Sequence, residues 1–428
     1  MQNKKNVLIF PCGSEIGLEV NRALAKDIHF ELFGASSLPD HGRFVYKNYI
    51  EGIPFVDCDD FISSINNICD KYSIDFIIPA HDSVVLKLAQ SAEELKAIVI
   101  TSPLETCEIA RSKKRTYEVL KDTILCPKVY NINDNNINYP VFIKPDVGQG
   151  SKGAKKVSNY DELKLEYENN KNIVISELLT GEEYTIDCFT NRTGKLLFAK
   201  GRKRARINNG ISVNSYPVEN DKFKMIAEKI NSKIKFQGMW FFQLKENANG
   251  ELALLEIAPR VAGTMGMYRG LGVNFILLAL YDACGFDIQL ISNDFNIEID
   301  RALFARYKTN VQYNFVYVDL DDTIICDNSV NTEIIKFLYQ AKNNNKKIVL
   351  ISKHEKDINK TLEKYCISHN LFDKILHLSK TDKKSLFIKE KNAIFIDDSY
   401  AERKDVSSNC KMPVFSLDAV ETLLDWRN

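Results

Sequence analysis

The sequence has no net charge, no paired-cysteine motif and no long apolar run. Its 57 Lys+Arg balance 57 Asp+Glu, so bulk electrostatics offers no attraction for nucleic acid or an anionic membrane, and anything acidic that binds must meet a local cluster of cations. The ten cysteines are scattered without a C-x-x-C pair or a histidine at zinc-ligand spacing, which argues against a zinc site and fits reduced thiols in a cytoplasm. Near the N-terminus only residues 7–10 are apolar before Pro11, too short for a signal-peptide core, so this run reads as a first strand. The longest later stretch, 275–281, is broken by Asp282 and falls far short of the ~20 residues of a bilayer span. No internal repeat is present.

What is present is an ordinary globular composition, 45% hydrophobic and 27% charged over 428 residues, enough for about three domains. Short apolar runs at 7–10, 30–33, 76–79 and 97–100 alternate with amphipathic segments, the pattern of a parallel α/β unit over 1–105. Residues 106–308 predict an α+β layer arrangement, with a helix carrying Lys113, a strand at 141–144, a glycine-rich stretch and strands at Val174, Tyr184, Trp240 and Leu252. From 312 to 428 the α/β alternation restarts with runs at 315–318, 348–351 and 393–396, each followed by a polar residue. In open parallel sheets that edge is where sites are built. The polar segments 292–298 and 308–314 read as linkers.

Gly148-Gln149-Gly150-Ser151-Lys152-Gly153 satisfies G-x-G-x-x-G. A Rossmann fingerprint needs a helix directly after the loop, whereas 154–157 read as another strand. A P-loop needs Lys-Ser/Thr at its end, and Ala154 follows the last glycine here. Two readings stay open at this point. One is a glycine-rich hairpin; the other is a lid whose backbone N–H groups close over nucleotide phosphates while Lys144, on the preceding strand, neutralises them.

The surroundings resemble the ATP-grasp superfamily, motif by motif in chain order. Ala110-Arg111-Ser112-Lys113, ahead of Cys126-Pro127, is similar to the first lysine segment, with Ser112 where Asp is usual. Residues 139–145 are similar to the second, with Lys144, and 174–183 to the adenine hinge. Trp240-Phe241-Phe242-Gln243 and Glu256-Ile257-Ala258-Pro259-Arg260 resemble the metal and phosphate segment, with Ala258 in place of the usual Asn. The resemblance implies an N-terminal Rossmann-like pre-ATP-grasp domain over 1–105 and an ATP-grasp fold over 106–308. It implies ATP bound by Lys113, Lys144, Gly150, Ser151, Gly153, Glu177, Leu179 and Glu183, Mg²⁺ (or Mn²⁺) on Gln243 and Glu256, and Arg260 acting in catalysis. A polyphosphate needs such cations and hard oxygen ligands. The basic run 200–206 lies where relatives place cations facing the transferred phosphate and the carboxylate substrate, and points to Arg202 and Arg206 as further catalytic residues. Without interleaved aromatics it argues little for nucleic acid. His81 and Asp82 are candidate substrate contacts.

Asp319-Leu320-Asp321-Asp322-Thr323 directly follows an apolar run, and carboxylates placed there are costly unless a cation joins them. With Ser352 after 348–351, a lysine among 380–384 and Asp397-Asp398 after 394–396, residues 312–428 resemble the haloacid dehalogenase-like (HAD) superfamily. That resemblance implies a Rossmannoid C-terminal phosphatase domain with Asp319 as nucleophile, Asp321 as general acid and base, Ser352 and Lys383 on the phosphate, and Mg²⁺ at Asp319, Asp321 and Asp397. The short interval from Thr323 to Ser352 leaves no room for a cap domain. The stretch 395–406 also resembles capless members found in carrier-protein glyceryl transfer systems, so phosphoryl transfer stands beside hydrolysis.

The two resemblances together imply a bifunctional cytoplasmic enzyme. One half is an ATP-dependent carboxylate-amine ligase that passes through an acyl phosphate; the other is a Mg-dependent phosphatase. The expected partners are a small-molecule carboxylate and an amine, including a phosphorylated amine, a uronic acid or a nucleotide sugar of bacterial capsule or other surface polysaccharide synthesis. Neither nucleic acid nor membrane is expected, and a homo-oligomer is compatible with the resemblance. The competing readings are an ATP-grasp small-molecule kinase joined to a HAD phosphoryl-transfer domain, and a degenerate scaffold, which Ser112 and Ala258 favour.

Overall fold

The apolar runs of the N-terminal region assemble into a five-stranded parallel sheet in the order Asn48–Glu51, Phe30–Ser36, Lys5–Phe10, Phe76–Pro79, Ile98–Val99. Parallel neighbours need crossover connections, and the helices Glu15–Leu24, Phe61–Tyr72 and Asp82–Gln90 provide helical segments between strands. The chain order reverses beside Lys5–Phe10, so the loops after this strand and after Phe76–Pro79 meet at one edge of the sheet. This computed structural model describes residues 4–148, 150, 152–208 and 210–427, and it divides into two units, Met1–Leu303 and Phe304–Asn428.

The rest of the first unit is antiparallel. The single helix expected around Lys113 is two, Leu104–Arg111 and Lys113–Leu120, broken at Ser112. Ser112 caps the second helix by accepting from Arg115 N, and its hydroxyl donates to Asp146 at 3.0 Å. A four-stranded sheet follows in the order Val129–Tyr130, Ile173–Glu177, Val141–Pro145, Lys155–Val157. A six-stranded sheet runs Leu252–Ala258, Gly238–Glu246, Glu183–Thr190, Leu196–Asn208, Ile211–Val218, Ile299–Asp300. Strand alternation splits its side chains between two faces. Ile186, Cys188, Trp240 and Phe242 pack with Phe223, Ala227 and Ile230 of the helix Asp221–Lys233. Gly201 is required there, because a Cβ would stand 2.2 Å from the Phe223 ring.

The second unit is again a parallel sheet, ordered Lys374–His377, Lys347–Ser352, Phe315–Val318, Ala393–Ile396, Val414–Phe415. Thr332–Asn343, Ile358–Lys364 and Tyr400–Cys410 are its α-helices. Val316, Val318, Leu350 and Ile394 form one face's core with Phe337 and Leu338, while Tyr317, Val349 and Phe395 pack on the other with Val406. That two-sided burial explains why these strands read as unbroken apolar runs. Among the described residues no helix is long and apolar enough to cross a membrane.

One expected site residue proves to be part of the first unit's core. Arg202 is 2% exposed and its Nε donates to Asp187 Oδ2 at 2.7 Å, with Asp187 fully buried. Burial raises the Asp187 carboxyl pKa, and the guanidinium opposes that shift. A buried carboxylate needs a counter-charge, and Arg202 is committed to it rather than to a ligand. Replacing Arg202 by Met is expected to cost about 3–5 kcal/mol, the range for stranding one member of a buried pair. Adding Asp187→Leu is expected to recover most of that loss, with urea denaturation of the single and double variants measuring the difference.

Candidate functional site

A cleft enclosing about 180 Å³ opens in the first unit between the four-stranded sheet and the six-stranded sheet. Lys113, Lys144, Gly150, Glu177, Leu179, Glu183, Gln243 and Glu256 all line it. Ser151 lies outside the described residues, and Gly153 is not among the lining residues, with φ +73° and a would-be Cβ 3.1 Å from Pro145. Lys113 is placed by the Ser112 break, because its N–H donates to the Asp146 carbonyl and Lys114 N donates to the Asp146 carboxylate at 2.8 Å. Asp146 was not singled out in the sequence; its position two residues beyond Lys144 was the available signal.

Lys144 is the most constrained of these groups. Its ammonium donates to Tyr117 Oη at 2.7 Å and to the Leu255 carbonyl at 3.2 Å. Burial pushes its pKa down to about 8; Lys113 adds to the shift, and Glu256 and Glu183 oppose it. Lys113 is lowered for the same first reason. The Glu256 carboxylate receives no hydrogen bond or direct ion pair among the described residues, yet lies within electrostatic reach of Lys113, Lys144 and Arg260. At the hinge, Glu177 Oε1 accepts from Lys128 N at 2.7 Å.

The basic strand presents a different arginine from those expected. Arg204 lines the cleft, ion-paired to Glu183, with Nη1 3.1 Å from Gln243 Oε1 and Nη2 donating to the Gly210 carbonyl at 2.8 Å. Arg202 is turned into the core, as described. Arg206 is not among the lining residues: a register shift between Arg204 and Arg206 turns it to the exposed Asp300, whose oxygens accept at 2.8 and 2.9 Å. Alternation alone puts the three arginines on one face; the bulge separates Arg206 from the other two, and Arg202 and Arg204 differ by their partners, Asp187 and Glu183.

A smaller hollow adjoins the cleft and shares Lys113, Gly148, Gly150 and Glu256 with it. Arg260 lies there, its Nε and Nη2 donating to the two oxygens of Asp82 at 2.6 and 2.8 Å. Burial alone would raise the Asp82 pKa, but Arg260 holds it below the usual carboxylate range. Asp82 therefore orients Arg260, and His81 caps the helix Asp82–Gln90 by accepting from Ser83 N at 3.3 Å.

In the second unit the strand ends gather a compact charged cluster. Lys384 Nζ lies 2.8 Å from Asp319 Oδ1 and 2.6 Å from Asp397 Oδ2, all three groups being buried. Lys384, not Lys383, is thus the lysine at this site: Lys383 is exposed, and its neighbour at the start of the 3₁₀ turn Lys384–Leu386 points inward. Burial raises the Asp319 carboxyl and lifts Asp397 to about 6, while Lys384 opposes both shifts. Ser352 is buried at the adjoining strand end, and its hydroxyl also favours the Asp319 carboxylate.

Oxygens of Asp319, Asp397 and Asp398 come within 4.8 Å of one another, a hard-oxygen set that fits a divalent ion. Asp321 is not in that set. Its carboxylate turns to His354 Nδ1 at 2.8 and 3.0 Å, and His354 Nε2 lies 2.8 Å from Thr361 Oγ1. His354 was missed in the sequence, although it stands two residues after Ser352.

Residues 169–303 match the sequence model of a family described as ATP-grasp in the biosynthetic pathway with Ter operon. No curated protein matches the chain. Among solved structures, the biotin carboxylase domain of Hydrogenobacter thermophilus 2-oxoglutarate carboxylase, crystallised with MgADP and bicarbonate, is similar over 68% of this chain and 72% of that one, at TM-score 0.57 and 16% identity. The L-amino acid ligase of Bacillus licheniformis is similar over 66% and 74%, at TM-score 0.52 and 16% identity. N5-carboxyaminoimidazole synthetase of Staphylococcus aureus is similar over 65% and 77%, at TM-score 0.52 and 18% identity. The chain therefore carries an ATP-grasp fold, with the family match covering the part of the cleft from Ser176 to Glu256.

Proposed function

We propose that the chain is a two-site enzyme, with an ATP-dependent carboxylate-amine ligase in the first unit and a HAD-type phosphatase in the second. The observation that carries the first half is the meeting of Lys113, Lys144 and the unpartnered Glu256 in one cleft. In this reading the adenine lies at the hinge Glu177 to Leu179 and the phosphates lie between the two lysines. A divalent ion held by Glu256 would neutralise phosphate oxygens; Gln243, expected beside it, is taken by Arg204.

A substrate carboxylate oxygen attacks the γ-phosphorus, the bond to the β-phosphate oxygen breaks, and ADP leaves. An amine then attacks the acyl carbon of the acyl phosphate; the tetrahedral intermediate expels phosphate and the amine loses a proton. Arg260, oriented by Asp82, is placed to hold charge as it develops on phosphate or oxyanion. The biotin carboxylase, amino-acid ligase and carboxyaminoimidazole synthetase named above support ATP and carboxylate chemistry for this fold.

In the second unit, Asp319 attacks phosphorus to form an aspartyl phosphate, Asp321 protonates the leaving oxygen, and water attack with Asp321 as base releases phosphate. Ser352 and Lys384 hold the phosphate, and Asp319, Asp397 and Asp398 would hold the divalent ion that balances its charge. A phosphorylated amine joined in the first site to the carboxylate of a uronic acid or nucleotide sugar, and stripped of its phosphate in the second, would use both chemistries, as suits modification of a bacterial surface polysaccharide precursor.

Three outcomes test these assignments. With ATP, Mg²⁺, candidate acids and hydroxylamine, an acyl hydroxamate is expected, and Lys144→Ala is expected to reduce it by about 10²–10³-fold, the usual scale for losing one electrostatic contact to the transition state. A stable phosphorylated product without hydroxamate would instead establish the kinase reading. Phosphate release from phosphate monoesters is expected in the unaltered chain and is expected to vanish in Asp319→Asn with ADP formation retained.

The third outcome concerns pH. With Lys144 at about 8 in the free protein, nucleotide phosphates favour its charged form, so binding takes up a proton above pH 8 and none well below it. Nucleotide affinity should fall as pH rises through 8, and calorimetry in buffers of different ionisation enthalpy should detect the uptake at pH 8.5 and lose it in Lys144→Met.

A further inference from the structure

The oxygen donors of the nucleotide cleft are few, and most are already spoken for. Glu177 is tied to the Lys128 amide at the hinge. Glu183 is ion-paired to Arg204 and lies 3.6 Å from Lys245. Gln243 Oε1 accepts from the Arg204 guanidinium at 3.1 Å. Ala258, two residues beyond Glu256, contributes no side-chain oxygen. That leaves Glu256 as the one lining carboxylate with no direct partner among the described residues.

Divalent ions with oxygen ligands are held largely by carboxylate charge, and a second ion a few ångströms from the first needs carboxylates of its own. A single free carboxylate can hold one ion, with phosphate and water completing its shell. It cannot offset two. On the side of Glu183 and Gln243, where a second ion would need its ligands, the chain places a guanidinium. Arg204 is 7% exposed, is anchored by Glu183 and by the Gly210 carbonyl, and its Nε is buried without a partner among the described residues. A guanidinium keeps its charge at any working pH and offers several donors in a rigid plane, which suits it to face phosphate oxygens.

Resting on the nucleotide-site reading above, we propose that this cleft works with one divalent ion, held at Glu256, and that the Arg204 guanidinium is its fixed second cation. The polyphosphate then meets Lys113 and Lys144 on one side and Arg204 on the other. The metal requirement of the reaction becomes that of the metal–nucleotide complex alone. Arg204 is a catalytic residue in this scheme, because it touches the phosphate that moves.

The full chain with β,γ-methylene-ATP and Mn²⁺ decides the matter, with free Mn²⁺ read by electron paramagnetic resonance and nucleotide affinity by calorimetry. One Mn²⁺ per bound nucleotide is expected in the unaltered chain. Arg204→Ala is expected to weaken nucleotide binding about 10-fold or more, the scale of one lost charge-assisted contact, and to admit a second Mn²⁺ at the freed Glu183 and Gln243. Arg204→Lys, which keeps the charge, is expected to retain a stoichiometry of one.

Two Mn²⁺ per nucleotide in the unaltered chain overturns the proposal, and so does an Arg204→Ala chain with unchanged affinity and stoichiometry. Because truncating a buried arginine can unfold a chain, the unaltered stoichiometry is decisive by itself. Absence of nucleotide binding at any Mn²⁺ concentration refutes the nucleotide reading as a whole, a result distinct from a count of two.

Discussion

The first unit is organised around the cost of burying a lysine. An ammonium taken out of water loses several kcal/mol of hydration unless other groups replace it, and Lys144 meets that demand with groups from three separate elements. The helix Lys113–Leu120 supplies the Tyr117 hydroxyl, the strand Leu252–Ala258 supplies the Leu255 carbonyl and the Glu256 field, and Val141–Pro145 supplies the lysine itself. None of these contacts is local in sequence, so the cleft exists only when both antiparallel sheets are packed. The residual imbalance shows as a pKa of about 8, a lysine held ready for an anion.

The second unit meets the same problem with the signs reversed. Buried carboxylates crowd the ends of two adjacent parallel strands, and Lys384 is drawn between Asp319 and Asp397 to keep them folded. Burial still lifts Asp397 to about 6. In both units buried charges are held by partners from several elements. The zero net charge of the chain conceals these opposed local fields.

Much of this was legible in the sequence. The alternation of apolar runs read correctly as parallel sheets, because strands buried on both faces leave an unbroken hydrophobic trace. Lys113, Lys144, Glu177, Leu179, Glu183 and Glu256 line the cleft as expected, and Asp319 and Asp397 meet at the strand ends, whereas Asp321 and Lys383 do not join that cluster. What escaped was side-chain direction. Arg204 was passed over between Arg202 and Arg206, since no property of the residues themselves reveals that Asp187 claims the first or that a bulge turns the third toward Asp300. His354 and Asp146 were missed because their partners, Asp321 and Ser112, are distant in the chain.

Covalent order and residue type therefore determined which chemical groups this protein has and which strands carry them. Tertiary structure alone decided which of several adjacent, chemically identical groups reaches the cleft or the carboxylate cluster. Lys383 and Lys384 differ by one position, yet only Lys384 reaches Asp319 and Asp397. The three arginines of one strand are divided among core, cleft and surface. The physical reason is that a side chain's direction depends on register, bulges and the partners packed around it, whereas charge and hydrophobicity, the quantities a sequence displays, do not.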